Sequence, residues 1–503
     1  MIKSKWMKKI KDVMPAHIEM VNASVKKALE KIFVDMLLDV TLNNSLPEVG
    51  KEINGGDSGY VKKIISLHAN ISDSLLCMCV LLLCNFRALE PIEKKLILRR
   101  IVVVCHELYK YIYGFTKKKT GWDSVSKDLE TRYPDMCACL IKQGEKYLKK
   151  YAQSEDKILR DVSNHYSDNP FVFYKYISSI NEKGVVDRAL MMLSIALPLS
   201  DLLLKELNFF SPKVYMQPYP DNGYEFIPCR YKDIFNDRIL KQTLHSMKHR
   251  KEMARKQIQA LKRNESFCLH YNYDITHNRR WKMLKDDNVV LHVIFLQLDI
   301  MVLSLAMGRA ETSLEEKIIM AYMIASMHES FKKIYGFSDT AREKSLWHRY
   351  AETRLDYITD STLLADIKLV SGTLDAFAKQ EYLRNPTVAL FLSHVGYVKD
   401  LGGNSSNAML DYLLKDDQRM DLVGVVKVIS FLNILVNVSG KLLSYENDVM
   451  DEEKKNNLKE QLEKIEEIER KALRGIKGEK AKTELRKQIA AIKDTVRMLY
   501  NLD

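Results

Sequence analysis

Proline and glycine are scarce in this chain, with only 11 and 19 residues respectively among 503. A β-sandwich or barrel needs a turn about every 8–12 residues, so this scarcity argues against a β-rich protein. Hydrophobic residues make up 46% of the sequence and charged residues 29%. Such a composition can bury a core and excludes an intrinsically disordered chain. We therefore predict an all-α globular protein.

Several catalytic signatures are also missing. The sequence has no Gly-x4-Gly-Lys-Ser/Thr loop, no Gly-x-Ser-x-Gly elbow and no Gly-x-Gly-x-x-Gly string after a predicted strand. These absences argue against P-loop NTPases, α/β-hydrolases and dinucleotide-binding folds. The Cys-x-Cys pairs at 77/79 and 137/139 lack the usual zinc spacing and have no nearby pair of histidines. We therefore expect no metal and no cofactor.

Long uninterrupted hydrophobic runs are few. The apolar run 75–84 has ten residues between Asp73 and Asn85, and the run 289–308 carries polar residues that include Asp299. Both runs favour buried core helices over membrane spans. The basic, amphipathic start of the chain does not resemble a signal peptide. These features predict a cytoplasmic protein with reduced, buried cysteines and no membrane contact.

The sequence contains an internal repeat. The strings HELYKYIYGF (106–115) and HESFKKIYGF (328–337) are identical at seven of ten positions. A Leu-His pair lies upstream of each string, at 67–68 and at 291–292. Repetition at this scale indicates duplication of one structural unit.

Further features recur in both copies. Gly114 and Gly336 occupy the same place in the two strings and are candidate helix C-caps. Trp122 and Trp347 follow soon after and each open a new helical stretch. We predict two tandem bundles of at least four helices each, packed as a pseudo-dimer.

The predicted organisation has five parts. Four of the 11 prolines fall within 209–229, which indicates a boundary between the bundles. The parts are an N-terminal helical segment (1–66), a first bundle (67–208), a proline-rich linker with a basic helical segment (209–288), a second bundle (289–445) and a charged helical pair (446–503).

The excess positive charge is concentrated in one segment. Residues 230–290 hold 15 Lys and Arg against seven Asp and Glu, within a total net charge of +12. This segment is either a helix that contacts nucleic-acid phosphates or a solvated outer face. The candidate RNA-binding residues are Lys248, Arg250, Lys251, Arg255, Lys256, Lys262 and Arg263.

The string KILRDVSNHYSDNP (157–170) is the candidate catalytic motif. Four residues separate Arg160 from His165, and Asp161 and Asn164 are among them. Histidine can both accept and donate a proton near neutral pH, and a guanidinium can stabilise a phosphate that gains charge. On a straight helix the two side chains would diverge by roughly 140°, so we expect a helix to begin inside the motif, near Asn164.

This string resembles the Arg-polar-x-His motif of ribonucleases of the HEPN family (higher eukaryotes and prokaryotes nucleotide-binding domains). The resemblance is confined to one short motif in a helical, basic, duplicated chain. It implies metal-independent cleavage of single-stranded RNA at the interface of two units, with Arg160 on the phosphate and His165 transferring protons. It also implies products with a 2′,3′-cyclic phosphate.

The second copy departs from this motif. Arg384 and Asn385 resemble its start and His394 its end, but nine residues separate Arg384 from His394, and Pro386 interrupts them. The second half-site either contains an inserted turn or has decayed. A rival pair is Arg263 and His270, which has acceptable spacing but precedes the first long helix of the second copy.

The repeated pairs His106-Glu107 and His328-Glu329 are not a zinc-protease motif, because no second histidine follows at the required spacing. They either pack within a helix or, in the first copy, let Glu107 hold Arg160 in place.

Two functions remain open. The first is a HEPN-type endoribonuclease, acting as a monomeric pseudo-dimer or a homodimer in bacterial anti-phage defence, by abortive infection, as a toxin or as an RNA-guided effector. A guide RNA or an antitoxin or activator would then be a partner. The alternative is a non-catalytic helical RNA-binding or adaptor protein with a degenerate HEPN pair, in which the basic segment matters and Arg160 and His165 do not.

Overall fold

The fold is known from a computed structural model. It describes residues 23–29, 31–32, 58–114, 120–151, 170–210, 237–270, 288–380, 419–475 and 478–500. Every regular element in these ranges is a helix, and they contain no strand. The predicted all-α class is therefore confirmed.

The helices fall into two groups separated by one long helix. The first group consists of α1 (Ser58–Arg87), α2 (Pro91–Ile112), α3 (Ser126–Arg132), α4 (Pro134–Tyr151), α5 (Pro170–Ser179) and α6 (Glu182–Phe210). The separating helix is α7 (Asp237–His270). The second group consists of α8 (Val289–Met307), α9 (Ser313–Ile334), α10 (Asp339–Arg342), α11 (Leu346–Tyr350), α12 (Ser361–Ala378), α13 (Arg419–Gly475) and α14 (Glu479–Tyr500). Two short 3-10 helices cover Trp122–Ser124 and Glu352–Tyr357.

The two groups have similar internal contacts. In the first, α1 lies against α2 and α6, and α6 also contacts α2 and α4. In the second, α8 lies against α9 and α13, and α13 also contacts α9 and α12. The groups meet where α2 contacts α8 and α1 contacts α9, while α7 lies along α8. One continuous hydrophobic core extends through both groups.

Local sequence explains where several helices begin. The side chain of Asn288 accepts a hydrogen bond from the backbone N–H of Leu291 at 2.9 Å. Thr312 accepts one in the same way from Glu315 at 3.2 Å. Asp360 caps α12 through two backbone N–H groups. Each cap satisfies donors that would otherwise have no partner in the first turn.

Glycine ends α2 and α9 as the sequence predicts. Gly114 has φ of 70° and Gly336 has φ of 80°, both in the left-handed region. The N–H of Gly336 donates to the carbonyl of Phe331 at 3.1 Å. A side chain at position 336 would also lie 2.8 Å from the carbonyl carbon of Ala341. Both the backbone conformation and the space therefore require glycine there.

We expect Gly336→Ala to lower the free energy of unfolding by at least about 2 kcal/mol, because it adds left-handed strain to a backbone clash. Gly372 lies inside α12, where an added methyl group would have no atom within 4 Å, so Gly372→Ala should instead stabilise by about 0.5–1 kcal/mol. Urea unfolding followed by circular dichroism measures both variants. Equal effects of the two substitutions would contradict the assignment of strain to Gly336.

Two predicted domain boundaries fall inside helices. The boundary at 66/67 cuts α1, which begins at Ser58, and the boundary at 445/446 cuts α13, which runs on to Gly475. The first boundary lies at the repeated Leu67-His68 pair, but α1 already has buried residues from Tyr60 onwards. Within the predicted charged helical pair, α13 ends at Gly475 and α14 begins at Glu479.

The prediction of a cytoplasmic protein without membrane helices is wrong, because the length and hydropathy of three helices would allow them to cross a membrane. Three stretches are long and apolar enough to cross a membrane, namely Gly59–Arg87, Val289–Met307 and Val423–Tyr445. The error has a simple source. The run 75–84 is short by itself, but its helix continues in both directions, and the few polar residues within 289–308 do not lower the hydropathy of that helix enough to exclude a span.

The three stretches differ in how they are packed. We compare the apolar stretch of 18 residues within each helix. In Gly59–Arg87 and in Val289–Met307 this stretch is 94% buried inside the protein, whereas in Val423–Tyr445 it is 50% buried. The protein's own core thus covers almost all of the apolar surface of the first two, and only half of the third.

In the part of the chain that the structure describes, six cysteines are free, and not all of them are buried. Cys77, Cys79, Cys84, Cys105 and Cys137 are free and buried, and Cys139 is free and exposed. Burial raises the pKa of Cys137 to about 11, so this thiol stays protonated and unreactive at neutral pH.

Candidate functional site

The proposed catalytic residues lie outside the described part of the chain. This applies to Arg160, Asp161, Asn164 and His165 in the first copy and to Arg384, Asn385 and His394 in the second. Of the rival pair, Arg263 and His270 belong to α7, but their side chains are also outside the described residues. The elements around these segments therefore define the candidate site.

The repeated His-Glu pairs lie in the interior. His106 and Glu107 on α2 are almost fully buried, as are His328 and Glu329 on α9. The ammonium group of Lys110 donates to the carboxylate of Glu107 at 3.3 Å. The ring of His328 stacks on Phe337 with centroids 5.0 Å apart. At least one member of each pair thus makes a local contact inside its own unit. The predicted contact of Glu107 with Arg160 stays a prediction, because Arg160 lies outside the described ranges.

Reciprocal ion pairs join the two groups of helices. Arg87, at the end of α1, pairs with Glu315 in the first turn of α9. Arg309, just after α8, pairs with Glu93 in the first turn of α2. Each arginine also donates to the other's backbone carbonyl, at 3.2 Å from Arg87 and at 3.4 Å from Arg309. Both glutamates are buried, so these pairs are shielded from water and salt.

A third ion pair lies deeper in the same interface. Arg99 on α2 and Asp299 on α8 form a contact in which the two side chains are only 2% and 1% exposed. Arg100 approaches the same carboxylate at 3.3 Å and donates to the hydroxyl of Ser326 at 2.8 Å. One carboxylate thus compensates two arginines that have been removed from water.

Aromatic rings complete this cluster. The Arg99 guanidinium lies 5.0 Å from the ring centroid of Phe173, and that of Arg100 lies 5.2 Å from the centroid of Tyr322. Sequence reasoning missed the cluster. A signal was present, because two arginines inside the apolar run LILRRIVVV and an aspartate inside an apolar helix each need a buried partner.

The basic helix α7 has an apolar side and exposed cations. Its apolar side is a buried stripe, in which Met247, Ala254 and Ile258 face the main core and Leu261 packs against Phe171 and Leu443. Five of the predicted RNA-binding residues are exposed, some of them next to this stripe, namely Lys248, Lys251, Arg255, Lys256 and Lys262. The segment is therefore both a packing element and a positively charged surface.

The cations of α7 differ in how far they are compensated. Lys248 pairs with Glu90 at 3.0 Å, and Arg255 pairs with Glu252 at 2.7 Å. Arg250 is half-buried and donates to the side-chain carbonyl of Asn433 at 2.8 Å, so it is a structural residue here. Among the described residues, no ion-pair partner lies within 4.0 Å of Lys251 or Lys256. These two exposed lysines can therefore meet a phosphate.

A cavity of about 240 Å³ lies beside α7 where both groups of helices meet. Four helices line it, with Lys95 from α2, Tyr174 from α5, Lys251 from α7 and Phe295 from α8 among the lining residues. The ring centroids of Tyr174 and Phe295 are 6.2 Å apart. Most of the wall is apolar, and two ammonium groups border it, so the cavity suits a flat apolar group attached to an anion.

In the described part of the chain, no group of three or more His, Cys, Asp or Glu side chains is arranged to hold a metal ion. The comparisons with known proteins give no further guide. No protein-family model matches the chain, and no curated protein and no solved structure matches it either.

Proposed function

We propose that this protein is a metal-independent endoribonuclease that cleaves single-stranded RNA, formed by two HEPN-like helical units that arose by duplication and pack as an intramolecular pseudo-dimer. The observation that carries the proposal is the reciprocal exchange of ion pairs by Arg87 with Glu315 and by Arg309 with Glu93. Reciprocal contacts of equivalent residues are the mark of a twofold interface.

The sequence register supports equivalence of the two units. Arg87 and Arg309 are 222 residues apart. The same interval separates Glu93 from Glu315 and the two left-handed glycines, Gly114 and Gly336. The interval stays at 222 residues from the interface arginines to the glycines that end α2 and α9. Duplication of one unit without a later insertion in this region would produce such a constant interval.

The charged surface of α7 supports RNA as the ligand. Lys251 and Lys256 are available for phosphates, and Lys251 also borders the cavity with Tyr174 and Phe295. Single-stranded RNA combines a phosphate chain with unstacked bases, which bind to cations and to aromatic faces respectively. A path along α7 would take the strand across the junction of the two units.

Chemistry would take place at the Arg160–His165 motif. His165 accepts the proton of a 2′-hydroxyl, whose oxygen attacks the adjacent phosphorus, and the bond to the leaving 5′-oxygen breaks as that oxygen takes up a proton. The product strand then ends in a 2′,3′-cyclic phosphate. Arg160 stabilises the negative charge that develops on the phosphate. His394, with Arg384, would contribute from the second unit. Such a nuclease fits a role in defence against phage.

The test is cleavage of a labelled single-stranded RNA in the presence of EDTA. We expect wild-type protein to cleave and His165→Ala to lose about 10²–10⁴-fold in rate while it still binds RNA, because loss of a positioned general acid–base costs that much. His348→Ala replaces a partly exposed histidine that pairs with Glu352 and serves as the control, with no expected loss. Dependence of cleavage on a divalent metal would contradict the proposal.

The remaining outcomes separate the alternatives. Equal cleavage by wild type and His165→Ala would transfer the role to His270 or His394, which the corresponding alanine variants would distinguish. RNA binding without cleavage by any variant, weakened by Lys251→Ala with Lys256→Ala, would favour the non-catalytic adaptor. Absence of both binding and cleavage would reject RNA as the ligand.

A further inference from the structure

One face of the second group of helices leaves apolar side chains uncovered. Leu369 on α12 and Val423, Val426 and Ile434 on α13 are 64%, 46%, 55% and 48% exposed. They account for four of the 11 large hydrophobic residues that are exposed in the described part of the chain. A groove of about 490 Å³ runs between the two helices, with Phe377 and Phe431 among its lining residues. We call this surface the α12–α13 face.

The exposure does not arise from a misplaced core stripe. The opposite side of α13 already fills the core with Val425, Val428, Leu432 and Leu435. The exposed residues at 423, 426 and 434 form their own stripe at helical spacing. The stretch Val423–Tyr445 of α13 is therefore apolar on both sides. This explains why its mean hydropathy is 1.7 although its apolar stretch of 18 residues is only 50% buried.

The charges next to the face are positive. Lys427 lines the groove, and Lys368 precedes Leu369 on α12. Both lysines are exposed, and no ion-pair partner lies within 4.0 Å of either among the described residues. The acidic residues of α12 are already compensated, since Asp366 pairs with Lys441 at 2.7 Å and Asp375 with Lys379 at 2.6 Å.

We propose that the α12–α13 face binds the surface of a membrane that contains anionic lipids. The apolar side chains enter the boundary between headgroups and acyl chains, and Lys368 and Lys427 contact the lipid phosphates. Because the other side of α13 stays in the core, this contact requires no rearrangement of the bundle. The proposal is independent of any activity toward RNA.

The test is flotation of the full-length protein with phosphatidylcholine vesicles that contain or lack phosphatidylserine. We expect wild-type protein to float with the anionic vesicles. The double variant Val426→Glu/Ile434→Glu should bind at least tenfold more weakly, because it places two carboxylates at the apolar boundary. The matched control is Val172→Glu/Ile468→Glu, which changes one exposed valine and one exposed isoleucine elsewhere, and it should float like wild type.

The lysines give a second, electrostatic measurement. Lys427→Ala and Lys368→Ala should each weaken binding to anionic vesicles about fivefold and leave any binding to neutral vesicles unchanged. Raising the salt concentration should have the same direction of effect.

Three outcomes would overturn the proposal. One is no flotation of the wild-type protein with either kind of vesicle. Another is a wild-type dimer in light scattering that Val426→Glu/Ile434→Glu converts to a monomer, which would assign the face to a second copy of the chain. The third is a large fall in melting temperature for this variant and not for its control, which would mean that the protein itself covers the face.

Discussion

Asp299→Ala is expected to lower the free energy of unfolding by about 3–5 kcal/mol, the range observed when one partner of a buried ion pair is removed. The substitution leaves Arg99, which is 2% exposed, without the carboxylate that compensates it. Arg100 loses the same carboxylate, at 3.3 Å. Urea unfolding at neutral pH, followed by circular dichroism, measures the loss.

An exposed pair supplies the control for this substitution. Asp375→Ala removes the partner of Lys379, in a pair whose side chains are 40% and 69% exposed, and should cost no more than about 1 kcal/mol. If Asp299→Ala cost equally little, the two arginines would have regained water or another acceptor, and a tight junction between α2 and α8 would be wrong.

Reversing the charge of Arg309 is the second substitution with a large expected effect. Arg309→Glu places a carboxylate against the buried Glu93, so we expect a loss of about 3 kcal/mol or more in the free energy of unfolding. Adding Glu93→Arg restores an attractive pair and should recover a large part of the loss. The double-mutant cycle then isolates the coupling between the two residues.

The equivalent cycle on Arg87 and Glu315 tests reciprocity. If the two units form a pseudo-twofold interface, both cycles should give strong coupling of the same sign. The exposed pair of Lys441 and Asp366 should give about 0–1 kcal/mol in the same experiment. Strong coupling in only one of the two buried cycles would argue against an interface of equivalent halves.

The contribution of sequence differs between the fold and the site. Local signals placed the glycines that end α2 and α9 and the helical, basic character of α7. These features depend on neighbours a few residues away, so the sequence contains the information they need. The Arg160–His165 motif stays a prediction of sequence alone, since its residues lie outside the described ranges.

The Arg99–Asp299 pair could not be predicted in the same way. Its two members are 200 residues apart in the chain, and no local pattern specifies which buried charge meets which. The roles of the α7 cations also depend on tertiary contacts. Arg250 is held by Asn433 of α13, whereas Lys251 borders a cavity, although the two are neighbours in the sequence.

The sequence by itself determined that the chain is helical, where several helices end, and that its positive charge is concentrated before the second group of helices. Only the tertiary structure decided which apolar surfaces are covered. Val289–Met307 and Val423–Tyr445 both have the hydropathy of a membrane helix, yet their apolar stretches of 18 residues are 94% and 50% buried. Hydropathy counts apolar side chains along one helix, whereas burial depends on how many neighbouring helices surround it.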